Sequence, residues 1–584
     1  MSGPRSMLRT LAGCLPWLGL SVAWTWPTAI HPIAATPGSA HTDLWENLWT
    51  LWFVATRLVA GQSPLRVDGL LDTPHGGSLW PSDPVSALTM LPVTLTAGPA
   101  VAWSLLVIGH MTLRGWLGFR IGEAFTQGGP AADGDTAGRT SAGWVCGAVL
   151  ALSSMALANV HNGASETLGD TWCLAVVWMG LRWDAVASDT SSRVSVRRWT
   201  VTAGVLLAMS AIAHWYGGVA AFLLWLGMGL RRRSASVGAA DTVLMRRSFL
   251  AAGALGILLA LPVAYAARSV TTAGDNVVGI KNPAELGRLR RNIGPADPWA
   301  FVRPAPFRSP DFTKISRYGE DYWHSPYLGW VAITLALISA LPRRWPGRGL
   351  TPPTPAWPLA VVVFSVVLAC GPVLTAGGAV VILSGRRAVP LPYFLIEKLP
   401  PFDSLSLLWK LGWAAEIGVA LCAAAGVARI VSLLPRRPGQ AFAAAVTLAV
   451  LGEAAMFAPT RGLPDHVDTT LPAPVLALRS GPPGKVMTWP LIGGLPTLYE
   501  QVGHGKMIAG TLNFPASKNA WNVTRSVLRG REAATAVARE CDIRYVVLHL
   551  DAPMGGDESG LQLANWEGFP VLAQDGKVRV LKLY

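Results

Sequence analysis

Asp43 and Glu46 lie in the most informative stretch of the chain, Thr42-Asp43-Leu44-Trp45-Glu46-Asn47-Leu48-Trp49-Thr50-Leu51-Trp52. Its residues divide at helical spacing. Trp45, Leu48, Trp49, Trp52, Ala55 and Val59 share one face, and Asp43, Glu46, Asn47, Thr50 and Arg57 share the other. A helix so divided, directly after an apolar run of spanning length, is expected to lie in a membrane interface with its Trp side toward lipid. Its carboxylates then face a cavity at the membrane surface. Thr42 or Asp43 would also cap the helix, which is the bland account of a lone Asp at a helix start.

Four further groups could do chemistry. His161, Glu166 and Asp170 share the short turn Asn159-Val160-His161-Asn162-Gly163-Ala164-Ser165-Glu166-Thr167-Leu168-Gly169-Asp170. Acids at a membrane-helix end mark a cavity or a pathway, or else cap the helix. His214 and Tyr216 sit in the corner His214-Trp215-Tyr216-Gly217-Gly218, where two short helices must turn tightly. Arg386, Arg387 and Lys410 lie in or beside one long loop, and Arg288, Arg290 and Arg291 in another. Headgroup contact or solvation also accounts for any one of these cations. His504-Gly505-Lys506 is expected on a loop, where binding residues concentrate, although His504 also reads as a solvated loop residue. The histidines could ligate a divalent metal, yet no HExxH or tight His/Asp spacing supports one, and none is assigned. No Walker loop, dinucleotide fingerprint or GxSxG elbow occurs, so soluble-nucleotide chemistry has no support.

The elements that must position these residues are membrane helices. Of 584 residues, 51% are hydrophobic and only 14% charged, with a mean hydropathy of +0.38. A soluble chain of this length needs far more charge on its surface. The 26 Trp, several near the ends of apolar runs, suggest an interfacial aromatic belt. The net charge of +14 comes from short Arg clusters between apolar runs, such as Arg231–Arg233, Arg343–Arg344 and Arg436–Arg437, rather than from a nucleic-acid-binding stripe. The six cysteines show no CxxC and read as free thiols. Leu11-Ala12-Gly13-Cys14 lacks the apolar stretch of a lipoprotein signal, and the run Leu11–Ile30 reads as an anchor rather than a cleaved leader.

Spanning runs fall near 11–30, 99–121, 142–160, 168–186, 200–214, 215–230, 248–267, 326–342, 357–384, 411–433 and 440–457, about eleven by the ~20-residue criterion. With Arg5 and Arg9 inside, alternation places the Arg-bearing loops 187–199, 231–247, 342–348 and 434–438 inside too. The segments 31–98, 268–325, 385–410 and 458–584 are then external. Residues 1–457 are expected to form the transmembrane module and 458–584 a small external α/β domain. Within that domain Lys485–Leu491 and Ile543–Asp551 read as strands and Glu532–Cys541 as a helix. Pro570–Ala573 and Lys577–Tyr584 read as a hairpin across Asp575-Gly576.

A first span followed by an outer amphipathic segment with an early acid resembles the glycosyltransferase-C superfamily of polyprenyl-phosphate-sugar transferases. A group of bacterial polytopic proteins of that architecture is similar over most of the chain. The similarity runs through Asp43-Leu44-Trp45-Glu46-Asn47-Leu48-Trp49, Ser63-Pro64, Pro74-His75-Gly76-Gly77, His161-Asn162 with Glu166, His214-Trp215-Tyr216-Gly217 and Tyr327-Leu328-Gly329. It continues in Leu391-Pro392-Tyr393, Leu399-Pro400-Pro401-Phe402, His504-Gly505-Lys506 and Ile543-Arg544-Tyr545-Val546-Val547. Each match is short. The resemblance implies a multi-pass protein of a bacterial inner membrane, its partners being membrane lipid, a polyprenyl-phosphate-linked sugar and an unidentified acceptor. It implies that Asp43, with Glu46 beside it, is the catalytic base, whereas the superfamily more often has Asp-Glu or Asp-x-Asp. Glycosyl transfer needs a carboxylate to deprotonate the acceptor and cations to hold the leaving phosphate, a part open to Arg386, Arg387 and Lys410. Two other readings stay open: a non-catalytic scaffold that binds a partner through its external domain, and a transporter or flippase of a lipid-linked substrate. The flippase would need charges near mid-membrane, where only His110 and Arg114 stand out.

Overall fold

The computed structural model describes residues 4–40, 42–72, 77–126, 136–165, 170–183, 193–230, 239–273, 276–277, 294–304, 325–341, 356–376, 379–383, 387–399, 402–457, 464–491, 495–510, 517–551 and 561–584. His75, Glu166, Arg288, Arg290, Arg291 and Arg386 lie outside the described residues, as does most of the Arg-bearing loops.

In chain order the first half comprises α1 (Pro4–Trp24), β1 (Thr36–Pro37), α2 (Leu44–Val59), α3 (Pro84–Thr89), α4 (Leu91–Ala97), α5 (Pro99–Thr126), α6 (Thr136–Ala151), α7 (Ser154–His161), α8 (Asp170–Leu181), α9 (Arg193–Ala213), α10 (Trp215–Leu230) and α11 (Ala239–Thr271). Then come α12 (Trp330–Ala340), α13 (Ala356–Ala369), the short strands β2 (Thr375–Ala376), β3 (Ala379–Val380), β4 (Ile382–Leu383) and β5 (Arg387–Ala388), α14 (Tyr393–Ile396), α15 (Gly412–Val431) and α16 (Arg436–Phe457). The C-terminal unit holds β6 (His466–Val467), α17 (Ala473–Ala477), β7 (Lys485–Trp489), α18 (Leu495–His504), α19 (Lys518–Val527), α20 (Arg531–Glu540), β8 (Ile543–His549), β9 (Val571–Gln574) and β10 (Val578–Lys582).

The protein is a multi-pass membrane protein. Each of the eleven apolar runs contains a helix. Among the described residues, five stretches are long and apolar enough to cross a membrane: Pro99–Thr126, Ala137–His161, Val243–Thr271, Leu408–Val431 and Arg436–Phe457. The expected run 357–384 is corrected: α13 stops at Ala369, and β2 to β5 follow it. The bundle closes around α15, which is buried along nearly its whole length and packs on α6, α12 and α13. Its Ala and Gly residues let those neighbours approach closely. The same device joins α5 to α6, where a Cβ on Gly122 would stand 2.5 Å from the Ala142 carbonyl oxygen.

Several of the segments expected outside touch one another. Ser78 and Asn276 pair as a bridge, Arg268 pairs with Asp403 at 3.4 Å, and Thr36 pairs with Val467 in a β1–β6 ladder. At the other end of the bundle, Arg429 closes the C-terminus of α12 by donating to the carbonyls of Ile338 (2.9 Å) and Leu341 (2.7 Å).

The C-terminal unit builds one four-stranded sheet in the order β7-β8-β10-β9. β7 and β8 are parallel, and β10 is antiparallel to both β8 and β9. Strands and hairpin stand where alternation and the Asp-Gly turn put them; α18 and α19 were not anticipated. α18 produces the main correction. The Trp face of α2 turns not to lipid but against this helix: Trp45 and Trp49 are buried, Trp45 packs on Tyr499 at 5.5 Å, and Trp49 Nε1 donates to Gln501 Oε1 at 2.7 Å. An indole N–H needs an acceptor when buried, and the Gln501 amide supplies one that lipid cannot. The aromatic belt is likewise only partial. Trp26, Trp299 and Trp330 are exposed, whereas Trp49, Trp103, Trp183, Trp409, Trp413, Trp489 and Trp566 are among the largest fully buried side chains.

Candidate functional site

Asp43 is the N-cap residue of α2, but its side chain makes no capping hydrogen bond. The carboxylate is half-buried, as is that of Glu46 one turn along. The backbone that carries it is fastened from several directions. Thr42 Oγ1 donates to the carbonyls of Ser39 (3.0 Å) and His161 (3.3 Å), and Ser39 N donates to that same His161 carbonyl at 2.9 Å. Asn47 Nδ2 returns to the Asp43 carbonyl at 3.1 Å, and Ser165 Oγ donates to Asn47 Oδ1 at 2.6 Å. Gly163, with φ +65°, lies so close beneath α2 that an added Cβ would sit 2.4 Å from Leu44 Cα. His161 itself is buried, and its Nδ1 stands 3.3 Å from the Asp465 carboxylate. The turn after α7, the α2 start and Asp465 thus form one locked corner.

Asp170, expected in the same external turn, goes elsewhere. It starts α8 and pairs with Arg114 in the bundle interior. Arg114 also donates to Glu416 Oε1 at 2.7 Å, to Ser153 Oγ at 3.1 Å and to the Leu150 carbonyl at 2.9 Å. All three ionisable side chains are at most 4% exposed. Buried charges persist only when paired and hydrogen-bonded, and this group has a visible structural task. The chain breaks between α6 and α7, where Arg114 takes up the Leu150 carbonyl while Ser153 caps α7 through Ala156 N at 3.1 Å. Glu416 was missed by sequence reasoning, although a lone acid inside an apolar spanning run was signal enough.

His214 and Tyr216 stand together at the α9–α10 corner, stacked at 5.0 Å, and His214 faces Trp413 at 5.3 Å. The corner is as tight as its glycines suggest, with Gly218 packed directly on Ala211. The Tyr216 hydroxyl accepts from the backbone N–H groups of Ser406 (2.7 Å) and Leu407 (2.6 Å). Lys410 is buried, its Nζ 5.8 Å from the Tyr216 ring centre and 5.9 Å from that of Trp409. Three residues named from the sequence therefore meet here. Arg387 belongs to β5 through its backbone pairing with Leu383.

His504 and Lys506 perform a structural task. His504 ends α18 and is buried, with Nδ1 accepting from Lys506 N at 3.0 Å. Burial pushes the imidazole down to about 4, with nearby Lys506 adding to the effect and Glu500 opposing it. Lys506 Nζ donates to the carbonyls of Gly481 (2.7 Å) and Pro482 (2.9 Å) and lies over Tyr545 at 5.5 Å. Sequence reasoning missed Asp72, which accepts from Lys485 Nζ (2.8 Å), Ser517 Oγ (2.7 Å) and Asn519 Nδ2 (3.0 Å) and so bolts the loop after α2 to the C-terminal unit. Among the described residues no three His, Cys, Asp or Glu side chains converge as metal ligands.

No family model and no curated protein matches the sequence. Solved structures do match. The arabinofuranosyltransferase AftD from Mycobacteria aligns with a TM-score of 0.52 at 15% identity, over 100% of this chain and 42% of that one. ArnT from Cupriavidus metallidurans, bound to undecaprenyl phosphate, aligns with a TM-score of 0.45 at 15% identity, over 100% and 99% of the two chains. The oligosaccharyltransferase of Archaeoglobus fulgidus aligns at 0.44 and 11% identity, over 92% of this chain and 69% of that one. The likeness to AftD shows a shared fold over the length of this chain.

Proposed function

We propose that this protein is a membrane glycosyltransferase that moves a sugar from a polyprenyl-phosphate donor to an acceptor on the face carrying residues 31–98 and the C-terminal unit. The observation that carries the reading is the placement of Asp43. It is a half-buried acid just after the first apolar helix, on a backbone fixed by Thr42, Asn47 and the turn after α7. In the reaction the carboxylate takes the proton of the acceptor hydroxyl, whose oxygen attacks the anomeric carbon. The bond from that carbon to the phosphate oxygen breaks, and the lipid phosphate leaves with the electron pair. Glu46, one turn along α2, stands beside the base. Lys410, with His214 and Tyr216 against it, and the loop that holds Arg386 and Arg387 are the cationic groups that would receive the phosphate. With the Arg-bearing helix ends inside, this face is the external side of a bacterial inner membrane, and residues 458–584 act there as the domain on the acceptor side.

The buried Arg114–Asp170–Glu416 group favours a carrier as the second reading, since intramembrane ions often line pathways. Its bonds to the Leu150 carbonyl and the α7 cap assign it instead to holding a helix break. In lipid extracts of a deletion strain, the transferase reading expects a polyprenyl-phosphate-linked sugar to accumulate. An unchanged lipid-linked pool would refute it.

A further inference from the structure

A second site lies at the end of the bundle away from Asp43. α16 begins at Arg436 and leads into the C-terminal unit. The stretch Ala137–His161 ends in the corner that fastens the start of α2. Both are long and apolar enough to cross a membrane, so Ala137 and Arg436 stand at the opposite boundary, roughly 30 Å from that corner. Between these two helix starts lies a groove of about 600 Å³, within the range of small-ligand sites, about 300–1,000 Å³.

Helical spacing makes its two walls. Ala137, Thr140, Ser141 and Trp144 form one stripe of α6, and Arg436, Gln440, Ala443, Ala444, Thr447 and Leu448 form one stripe of α16. The three alanines leave space that larger side chains would fill. Trp144 is braced by Trp17 at 5.2 Å and Phe119 at 5.4 Å, which holds its ring as a wall. The lining changes along its length. Arg436, Gln440, Thr140 and Ser141 stand at the mouth, and Trp144, Ala444, Thr447 and Leu448 lie farther in. The Thr447 hydroxyl donates to the Ala443 carbonyl at 2.9 Å, so its proton is used within α16.

Charge and length select the occupant. Arg436 is exposed, and among the described residues of the lining it is the one charged group. On the end of α5 that packs against α6, Glu123 is paired with Arg120 at 2.7 Å. The mouth therefore presents a positive charge at headgroup depth, and the inner groove presents an apolar track. From Arg436 to Leu448 the helix rises about 18 Å, close to the roughly 15 Å of hydrocarbon in one leaflet. A polyprenyl tail outruns that length, and in the proposed reaction its phosphate lies at the other end, near Asp43.

We infer that the groove between α6 and α16 binds one anionic phospholipid of the leaflet away from the C-terminal unit. Its phosphate meets Arg436, Gln440 and Thr140, and one acyl chain runs along Trp144 to Leu448. This holds whether or not the chain transfers a sugar, so its test is independent of that reading.

The full-length protein in detergent is incubated with equimolar phosphatidylglycerol and phosphatidylcholine, and the lipid retained on the intact protein is counted by native mass spectrometry. The expected result is one retained phosphatidylglycerol in preference to phosphatidylcholine. Retention should weaken about fivefold in Arg436→Gln and be lost in Ala444→Phe, whose ring fills the groove. Both positions are exposed, so both variants keep the fold. Arg437→Gln, beside the groove but outside its lining, should retain lipid as wild type does, and added polyprenyl phosphate should not displace it. Equal retention of the two lipids, or equal weakening by Arg436→Gln and Arg437→Gln, would reduce the effect to diffuse surface attraction and overturn the site. Retention unchanged by Ala444→Phe would place the lipid elsewhere, and displacement by polyprenyl phosphate would overturn the inference in favour of a second site for the donor lipid.

Discussion

At the scale of the residue, the account separates acids that hold structure from the one assigned to chemistry. Asp170, Glu416 and Asp72 are buried and tied to cationic or hydrogen-bonding partners in the interior, whereas Asp43 is half-buried at the start of α2. His504 supplies a pH test. Its imidazole is held down at about 4 by burial, below the ordinary value of about 6.5, so between these values the unfolded chain binds more protons than the folded one. The stability it protects is therefore present above about pH 6.5 and lost as pH falls toward about 4. His504→Asn, which keeps an acceptor for Lys506 N, should flatten the acid side of the thermal-melt profile of the full-length protein; an unchanged profile would show that another group controls it. Asp43 stands out in the sequence because it follows the first apolar run. The Arg114 group does not, because its members lie 56 and 302 positions apart in sequence and only packing brings them together.

At the scale of the element, α7 and its following turn act as a clamp on the start of α2. Gly163 is the point where the clamp closes. It needs a positive φ, and a side chain there meets Leu44 backbone rather than a flexible neighbour. Gly163→Ala is expected to cost about 2 kcal/mol or more in stability, read as a lowered melting temperature in detergent, and to reduce activity by displacing Asp43. A variant with wild-type stability and activity would show that the clamp does not govern the α2 start. The strands of the C-terminal unit were legible from alternation and one Asp-Gly turn. The partner of the α2 Trp stripe was not, because an amphipathic stripe after a span reads equally as a lipid face or as a protein face. The hydrogen bond from Trp49 to Gln501 and the packing of Trp45 on Tyr499 distinguish the two.

At the scale of the whole molecule, the C-terminal unit is docked onto the helix that bears the proposed base. Gln501 joins Trp49 to the Leu70 carbonyl, and Asp72 joins Lys485, Ser517 and Asn519. Asp72→Ala removes a buried acceptor from a lysine and two polar side chains, at a cost of about 2–3 kcal/mol. Amide exchange in β7 and α19 should accelerate while exchange in α15 stays unchanged; uniform exchange across the molecule would mean that Asp72 does not govern docking. The central claim concerns Asp43 and is tested most directly by lipid analysis. A deletion strain is complemented with wild-type protein or with Asp43→Asn, expressed at matched membrane levels, and its polyprenyl-phosphate-linked sugars are measured by mass spectrometry. The amide preserves size but cannot take a proton, and loss of a general base costs about 10²- to 10⁴-fold in rate. The account predicts that the unspent donor accumulates with Asp43→Asn as in the deletion and disappears with wild type; a donor pool equally depleted by both proteins would contradict it.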